Sequence, residues 1–225
     1  MSGRPVPVPG EAGRPPIAAL PGRQAGITGA VLAGGMGRRM GGLDKGLQNY
    51  RGQPLALNAL NRLRPQVERC LVSANRHLPR YAKFGAPVVS DGVAGFAGPL
   101  AGLLATMAQA DSDWLLTVPC DVPAFPHDLA TRLMHAIEVG GASLAVPATA
   151  DPSQPGAWRP QPVFCLVQTR LRPSLEAWLA SGERRVMGWA RQQNVLVVPF
   201  TQPEDARAFA NINTLDELAA LETLD

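Results

Sequence analysis

The sequence has 225 residues, of which 46% are apolar, and it carries a formal net charge of +3. This length and composition are typical of a single globular domain with a sizeable core. Three arginines and one glutamate give the first 25 residues a charge of +2. The rest of the chain therefore carries +1, which disfavours a nucleic-acid-binding surface.

The three cysteines, Cys70, Cys120 and Cys165, are widely spaced and form no C-x-x-C pair. This pattern is typical of reduced thiols in a cytosolic protein and predicts no zinc site. No apolar run reaches the roughly 20 residues that a membrane helix needs, and the N-terminus lacks the apolar segment of a secretory signal. We therefore expect a cytoplasmic protein without membrane or nucleic-acid partners.

Residues 1–26, rich in proline, glycine and arginine, are predicted to form a disordered tail, and residues 27–225 a single domain. Within the domain, short apolar runs alternate with segments of helical periodicity. The predicted strands are 27–33, 69–74, 86–90, 114–118, 143–147, 163–168 and 195–200. The predicted helices are 54–66, 99–110, 126–139, 170–180 and 184–192. Such alternation predicts an α/β fold with helices on both faces of a mostly parallel sheet.

Three segments have weaker or different signals. Residues 50–54 are predicted as a turn, and residues 149–162 as a less regular lobe of the domain. Thr214 and Glu217 have the spacing of a capping box, which predicts that a last helix begins there.

The loop after the first strand has the composition of a phosphate-binding site. Between Gly34 and Gly46 it contains six glycines together with Arg38, Arg39 and Lys45. Glycines let backbone N–H groups approach a phosphate, and the cations supply positive charge where a polyphosphate would bind. A flexible surface loop would not need three cations among six glycines, so we interpret the loop as a nucleotide-phosphate site.

Two common glycine-rich loops do not fit this segment. A P-loop requires Ser or Thr after its lysine, whereas Gly46 follows Lys45. A dinucleotide-binding loop requires an acid about 20 residues further on to hold a ribose, and residues 54–59 contain none. A dehydrogenase is therefore disfavoured.

Polar residues follow the other predicted strands as well. Ser73 and Asn75 end the second strand, Asp91 follows the third and Asp121 the fourth. Because parallel sheets bind ligands at the carboxyl ends of their strands, these residues predict a nucleotide site with a metal ion. Asn and Asp are also common helix caps, and for Asp91 that alternative has equal weight. Asp121 is the preferred Mg²⁺ ligand, since Mg²⁺ is usually held by one or two carboxylates and substrate phosphates.

The segment L-A-G-G-x-x-x-R-M-G-G-x-D-K-G-L, from Leu32 to Leu47, resembles the signature of nucleotidyltransferases with a Rossmann-like fold. The most similar family is that of the molybdenum cofactor guanylyltransferases. The resemblance implies a three-layer sandwich like that of the nucleotide-diphospho-sugar transferases. It also implies that GMP is transferred from GTP to the terminal phosphate of molybdopterin, with Mg²⁺ as cofactor.

The same resemblance assigns roles to residues. Arg39, Lys45 and Asp121 would be catalytic, and Asp121 would bind the metal. Ser73 stands where relatives usually have an asparagine that contacts the nucleotide, so Asn75 could substitute for it. The implied nucleotide-binding residues are Leu32, Ala33, Gly34, Gly35, Lys45, Ser73, Asn75, Asp91, Gly98 and Asp121. The implied second-substrate residues are Arg184, Arg185, Asn211 and Asn213, the two asparagines alternating on a predicted strand.

The sequence is also compatible with other functions. A molybdopterin cytidylyltransferase or a sugar-phosphate nucleotidyltransferase could use the same scaffold, although these enzymes often have L-A-A-G where this chain has L-A-G-G. A non-catalytic carrier of nucleotide or cofactor would not need both Lys45 and Asp121. The resemblance also allows other cofactor-biosynthesis proteins and apo-molybdoenzymes as partners.

Overall fold

The computed structural model describes residues 24–35, 43–91 and 98–212, together with Thr214 and Glu217. Four predictions lie wholly or largely outside these residues: the tail as far as residue 23, the part of the glycine-rich loop that contains Arg38 and Arg39, Asn213, and the last helix beyond Thr214 and Glu217. The first strand begins at Gln24, three residues before the predicted start of the domain.

The described chain is built on a sheet of eight strands and a separate two-stranded hairpin. The strands are β1 (Gln24–Leu32), β2 (Asn49–Tyr50), β3 (Gln53–Pro54), β4 (Val67–Ser73), β5 (Val88–Val89), β6 (Trp114–Pro119), β7 (Leu144–Ala150), β8 (Trp158–Pro160), β9 (Cys165–Gln168) and β10 (Val195–Pro199). The sheet order is β10-β7-β9-β6-β1-β4-β5, and β8 pairs with β7. Strand β9 is antiparallel to β6 and β7, and β8 is antiparallel to β7, whereas the other pairs are parallel.

Helices cover both faces of this sheet, as predicted. They are α1 (Leu55–Leu63), α2 (Leu78–Ala82), α3 (Pro99–Met107), α4 (Leu129–Gly140), α5 (Arg172–Ala180), α6 (Val186–Gln192) and α7 (Asp205–Ala208). The apolar sides of α1 and α4 form one core with alternate residues of β1 and β6, among them Val31 and Leu116. Helices α3, α5 and α6 form a second core on the other face with Ala30 and Leu115. The fold is therefore the three-layer α/β sandwich that the resemblance implied.

The turn predicted over residues 50–54 lies at Arg51 and Gly52, and the residues on either side of it pair as the β2–β3 hairpin, which was not predicted. Two other local predictions were wrong. Strand β8 lies within the predicted irregular lobe, where it pairs with β7. Residues 211 and 212 lie in a connecting segment rather than in the predicted strand. The Ile212 N–H donates to the Asp121 carbonyl, beyond the end of β6.

The structure also bears on the cysteines and on the predicted capping box. Cys70, Cys120 and Cys165 form no disulfide. Thr214 and Glu217 make both hydrogen bonds of a capping box, with each side chain accepting the other residue's N–H at 3.0 and 3.3 Å. None of the helices in the described part of the chain has the length and apolar character needed to cross a membrane.

Candidate active site

The carboxyl ends of the central parallel strands meet at one edge of the sheet. Strand β1 lies between β4 and β6, and Leu32 is in register with Ser73 on one side and Pro119 on the other. A cavity of about 270 Å³ opens at this edge. Of the predicted site residues, its wall includes Leu32, Ala33, Gly34, Gly35, Lys45, Ser73, Asp91, Gly98, Asp121 and Asn211.

An ion pair occupies the wall of this cavity. The Lys45 Nζ donates to Asp121 Oδ2 at 2.7 Å, although the two residues are 76 positions apart in sequence. Both side chains are 18% exposed, so the pair is shielded but can be reached from solvent. A cation and a carboxylate that neutralise each other at a cavity wall can exchange partners when a phosphate and a metal ion enter together.

Hydrogen bonds of the backbone fix Asp121. Cys120 N–H donates to the Leu32 carbonyl at 3.1 Å, which extends the β1–β6 ladder beyond the last residue of β6. The Asp121 carbonyl accepts the Ile212 N–H at 2.9 Å, so the C-terminal segment is joined to the site. The backbone that carries the Asp121 side chain is therefore hydrogen-bonded both to β1 and to the C-terminal segment, which limits its movement.

The Cys120 thiol is not a nucleophile in this arrangement. Burial, reinforced by the negative charge of Asp121, raises its pKa well above the ordinary value of 9.0. The thiol therefore keeps its proton near neutral pH, and Cys120 acts as a small apolar part of the wall.

Small residues form the end of the cavity nearest α3. A Cβ added at Gly102 would lie 2.8 Å from Ser73 Oγ, so the absence of a side chain there makes room for the serine hydroxyl. Gly98 and Pro99, at the start of α3, complete this end. A flat ring can approach the backbone closely here, which suits a nucleotide base.

The opposite end, nearest β9, was not predicted from the sequence. Gln161, Pro162, Val163 and Phe164 line it together with Asn211. The Gln161 Nε2 donates to Thr149 Oγ1 at 3.2 Å, and its backbone N–H donates to the Pro147 carbonyl at 2.8 Å. These residues reach the cavity because β8 and β9 fold back antiparallel beside β7, a tertiary arrangement without a local sequence signal.

Asn75 does not line the cavity. Its Oδ1 accepts the Asp91 N–H at 3.0 Å and the Ser90 hydroxyl at 3.2 Å. The Asn75 side-chain oxygen therefore holds the loop that carries Asp91. The side-chain nitrogen lies close to Gly34, where an added Cβ would be 3.1 Å from Asn75 Nδ2.

The predicted arginine pair also lies outside the cavity wall. Arg184 donates to the carbonyls of Leu179 and Glu183, and Arg185 is 85% exposed with its Nε 3.9 Å from a Glu183 carboxylate oxygen. Of the four residues implied for the second substrate, Asn211 is the one that the described structure brings to the cavity.

Carboxylates at the cavity suit a hard cation with few protein ligands. Asp121 and Asp91 both line it, and no described cluster of three His, Cys, Asp or Glu side chains could hold an ion. This donor set fits Mg²⁺, which takes most of its ligands from water and substrate phosphates, better than a metal that requires a complete protein cage.

Comparison with known proteins agrees with this geometry. Residues 29–195 match the model of the MobA-like NTP transferase domain. The molybdenum cofactor guanylyltransferase of Acidovorax sp. (strain JS42) is 51% identical over 202 residues, which cover 88% of this chain and 96% of the relative. The protein of the same description from Methylibium petroleiphilum is 52% identical over 198 residues, with 88% and 96% covered.

Solved structures show the same fold at lower identity. Molybdopterin-guanine dinucleotide biosynthesis protein A from Archaeoglobus fulgidus superposes with a TM-score of 0.71 at 21% identity, covering 88% of this chain and 97% of that one. The 4-diphosphocytidyl-2C-methyl-D-erythritol synthase from Anaerococcus prevotii superposes with a TM-score of 0.66 at 13% identity, covering 88% and 95%.

Proposed function

The chain belongs to the family of MobA-like NTP transferase domains, and we propose that it transfers GMP from GTP to the terminal phosphate of molybdopterin, with release of pyrophosphate. The observation that carries the proposal is the Lys45–Asp121 pair in a cavity at the carboxyl edge of the sheet. Relatives at about half identity, named for this activity, support the choice of substrates.

The order of the strands suggests how the substrates lie. The end formed by Ser73, Gly98 and Gly102 accepts the base, and the centre, with Lys45 and Asp121, receives the triphosphate. The end formed by Gln161 and Asn211 is then left for molybdopterin. This arrangement places the acceptor phosphate and the α-phosphate of GTP side by side, so that binding supplies most of the orientation that the reaction needs.

The chemistry needs charge neutralisation rather than a general base. The acceptor phosphate is already ionised near neutral pH, so its oxygen attacks the α-phosphorus while the bond to pyrophosphate breaks. Lys45, turned from Asp121 to the phosphates, neutralises the charge that develops on the leaving group. Asp121 and Asp91 would hold Mg²⁺, which when bound screens the charge of the triphosphate oxygens.

The test measures pyrophosphate release from each of the four nucleoside triphosphates with Mg²⁺ and molybdopterin. We expect release from GTP and little from CTP, ATP or UTP. CTP as the preferred donor would favour a cytidylyltransferase, and binding without release would favour a carrier.

Lys45→Ala and Asp121→Ala should lower turnover by about 10² to 10³-fold, because each removes roughly 3–4 kcal/mol of transition-state stabilisation. The matched control is Asp111→Ala, which breaks the exposed ion pair between Arg69 and Asp111 beside the amino ends of β4 and β6. Surface pairs of this kind contribute little, so the control should keep full activity. Normal GTP-dependent release by either site variant would contradict the assignment.

A further inference from the structure

Lysine is a flexible residue, so the position of Lys45 depends on how its backbone is held. Lys45 begins a short 3₁₀ helix, Lys45–Leu47, with buried Asp44 before it and buried Gly46 after it. The Asp44 carbonyl accepts the Leu47 N–H at 3.2 Å and the Gln48 Nε2 at 2.9 Å. These bonds close the turn, but they do not attach it to the body of the protein. Leu47 packs in the core, and the Gln48 carbonyl accepts the Leu55 N–H at 2.8 Å, so the end of the turn is attached to α1.

At the beginning of the turn, a side chain from a different element holds Asp44. Tyr81, on α2, is completely buried, and its hydroxyl donates to Asp44 Oδ1 at 2.6 Å. The same hydroxyl lies against Gly46, where an added Cβ would overlap it. A single oxygen atom therefore contacts both neighbours of Lys45.

The surroundings keep this oxygen in place. The Tyr81 ring packs edge-on against Phe84, with the ring centroids 5.5 Å apart, and belongs to the core that includes Ala33 and Ala56. Burial and the hydrogen bond to Asp44 raise the pKa of Tyr81, so the phenol keeps its proton and donates it. A donor of this kind to a buried carboxylate is among the stronger hydrogen bonds in proteins.

Tyr81 itself is not part of the cavity wall, so it cannot contact the substrates. We propose that the Tyr81 hydroxyl is a positioning group that holds Lys45 at the cavity by fixing Asp44 and Gly46 on either side of it. The proposal rests on the proposed function for the role of Lys45. It gives α2 a catalytic purpose, and it explains why aspartate and glycine flank the lysine in this chain.

The first test is Tyr81→Phe, which removes the oxygen and keeps the ring. We expect kcat for GTP-dependent pyrophosphate release to fall about tenfold, while the KM for GTP changes less than threefold, because Lys45 acts mainly on the developing charge. The chain has one other tyrosine, Tyr50, which packs against Leu55 and Ile212. Tyr50→Phe makes the same chemical change there and should leave kcat within twofold of wild type.

The second test uses Gly46→Ala in two backgrounds. With Tyr81 present, the new methyl group overlaps the hydroxyl and should displace Lys45, lowering kcat at least 100-fold. In the Tyr81→Phe background that overlap is gone. Contacts of 3.2 and 3.3 Å with the methyl groups of Ala33 and Ala56 remain, so the same substitution should still cost up to about tenfold. Rates are measured at a temperature at which circular dichroism shows every variant folded. Additive losses in the two backgrounds, or equal kcat for Tyr81→Phe and wild type, would overturn the proposal.

Calorimetric titration with GTP and Mg²⁺ separates this proposal from the proposed function. If the wild-type protein binds GTP but releases no pyrophosphate, the proposed function fails. The positioning role is then decided by the enthalpy of GTP binding to wild type, Tyr81→Phe, Gly46→Ala and the double variant, which should show the same non-additive pattern. Wild-type protein that does not bind GTP would overturn both.

Discussion

Gln161 is a neutral side chain at the end of the cavity that we propose for molybdopterin. Its carboxamide is oriented by the hydrogen bond from Nε2 to Thr149 Oγ1, and its backbone is held by the Pro147 carbonyl. The residue lies at the β9 end, away from Ser73 and Gly102. A pterin ring presents an edge of donors and acceptors, which an oriented carboxamide can match.

We expect Gln161→Ala to raise the KM for molybdopterin about 3- to 10-fold, which corresponds to the loss of one neutral hydrogen bond of about 1 kcal/mol. The KM for GTP should stay within twofold of wild type. Initial rates of pyrophosphate release at varied concentrations of each substrate measure both constants. Thr149→Val, which removes only the orienting bond, should produce a smaller change in the same direction. A rise in the KM for GTP instead would show that the two ends have been assigned the wrong way round.

At the scale of elements, the short helix α7 carries the C-terminal segment to the site. Asp205 begins this helix and is 1% exposed. Its carboxylate accepts hydrogen bonds from the two terminal nitrogens of Arg132 on α4, Nη1 at 3.0 Å and Nη2 at 2.8 Å. The Gln202 N–H donates to the same carboxylate at 3.0 Å. Seven residues after Asp205, the Ile212 N–H donates to the Asp121 carbonyl. The Arg132–Asp205 pair therefore secures the segment that supports the proposed metal ligand.

Asp205→Ala should lower the free energy of unfolding by about 3 kcal/mol, because it leaves a buried arginine without its bidentate partner. Asp128, whose carboxylate is 3.7 Å from Arg132, moderates this cost. Urea denaturation measures the change. The matched control is Glu176→Ala, which breaks an exposed ion pair with Arg172 on α5 and should cost less than 0.5 kcal/mol, on the order of other helical surface pairs. Equal losses for both variants would mean that α7 is not secured by this pair.

Local sequence patterns predicted the elements in which the spacing of apolar residues matches the faces that are buried. Strands β1 and β6 are continuous apolar runs because both of their faces are covered, and α4 has a regular apolar side. The direction of β9 was not predictable, since an antiparallel strand between β6 and β7 has the same apolar composition as a parallel one. Strand β8 was missed because three partly exposed residues carry too little pattern.

The site divides in the same way. Lys45 and Asp121 could be placed together because both follow strands that a parallel sheet aligns, and the structure joins them at 2.7 Å. Gln161, which lines the cavity, and Tyr81, which contacts the residues on either side of Lys45, could not be placed. Each takes its position through packing between elements distant in sequence. Asn75 was assigned to the nucleotide on the basis of its position after β4, but position alone did not reveal that its amide is bonded to the Asp91 loop.

For the protein as a whole, we expect the buried thiols to lower the free energy of unfolding at alkaline pH. Burial alone raises the pKa of Cys165 from 9.0 to about 12, and burial also raises that of Cys120. Above pH 9 the unfolded chain loses these protons while the folded chain keeps them. The unfolded state then binds fewer protons, so the free energy of unfolding falls as the pH rises, by about 1.4 kcal/mol per pH unit for each thiol.

Between pH 8 and pH 10 the two thiols together should lower the free energy of unfolding by about 3 kcal/mol. Urea denaturation under reducing conditions at both pH values measures this loss. Cys165 is the better probe, because its pKa is raised by burial without a contribution from neighbouring charges. In Cys165→Ala the loss between the two pH values should shrink by about 1.4 kcal/mol, whatever the cavity costs at pH 8. If wild type and variant lose the same amount, the thiol of Cys165 ionises as readily in the folded protein as in the unfolded chain. Water would then reach Cys165, in contrast to the apolar packing between β9 and the helices on that face.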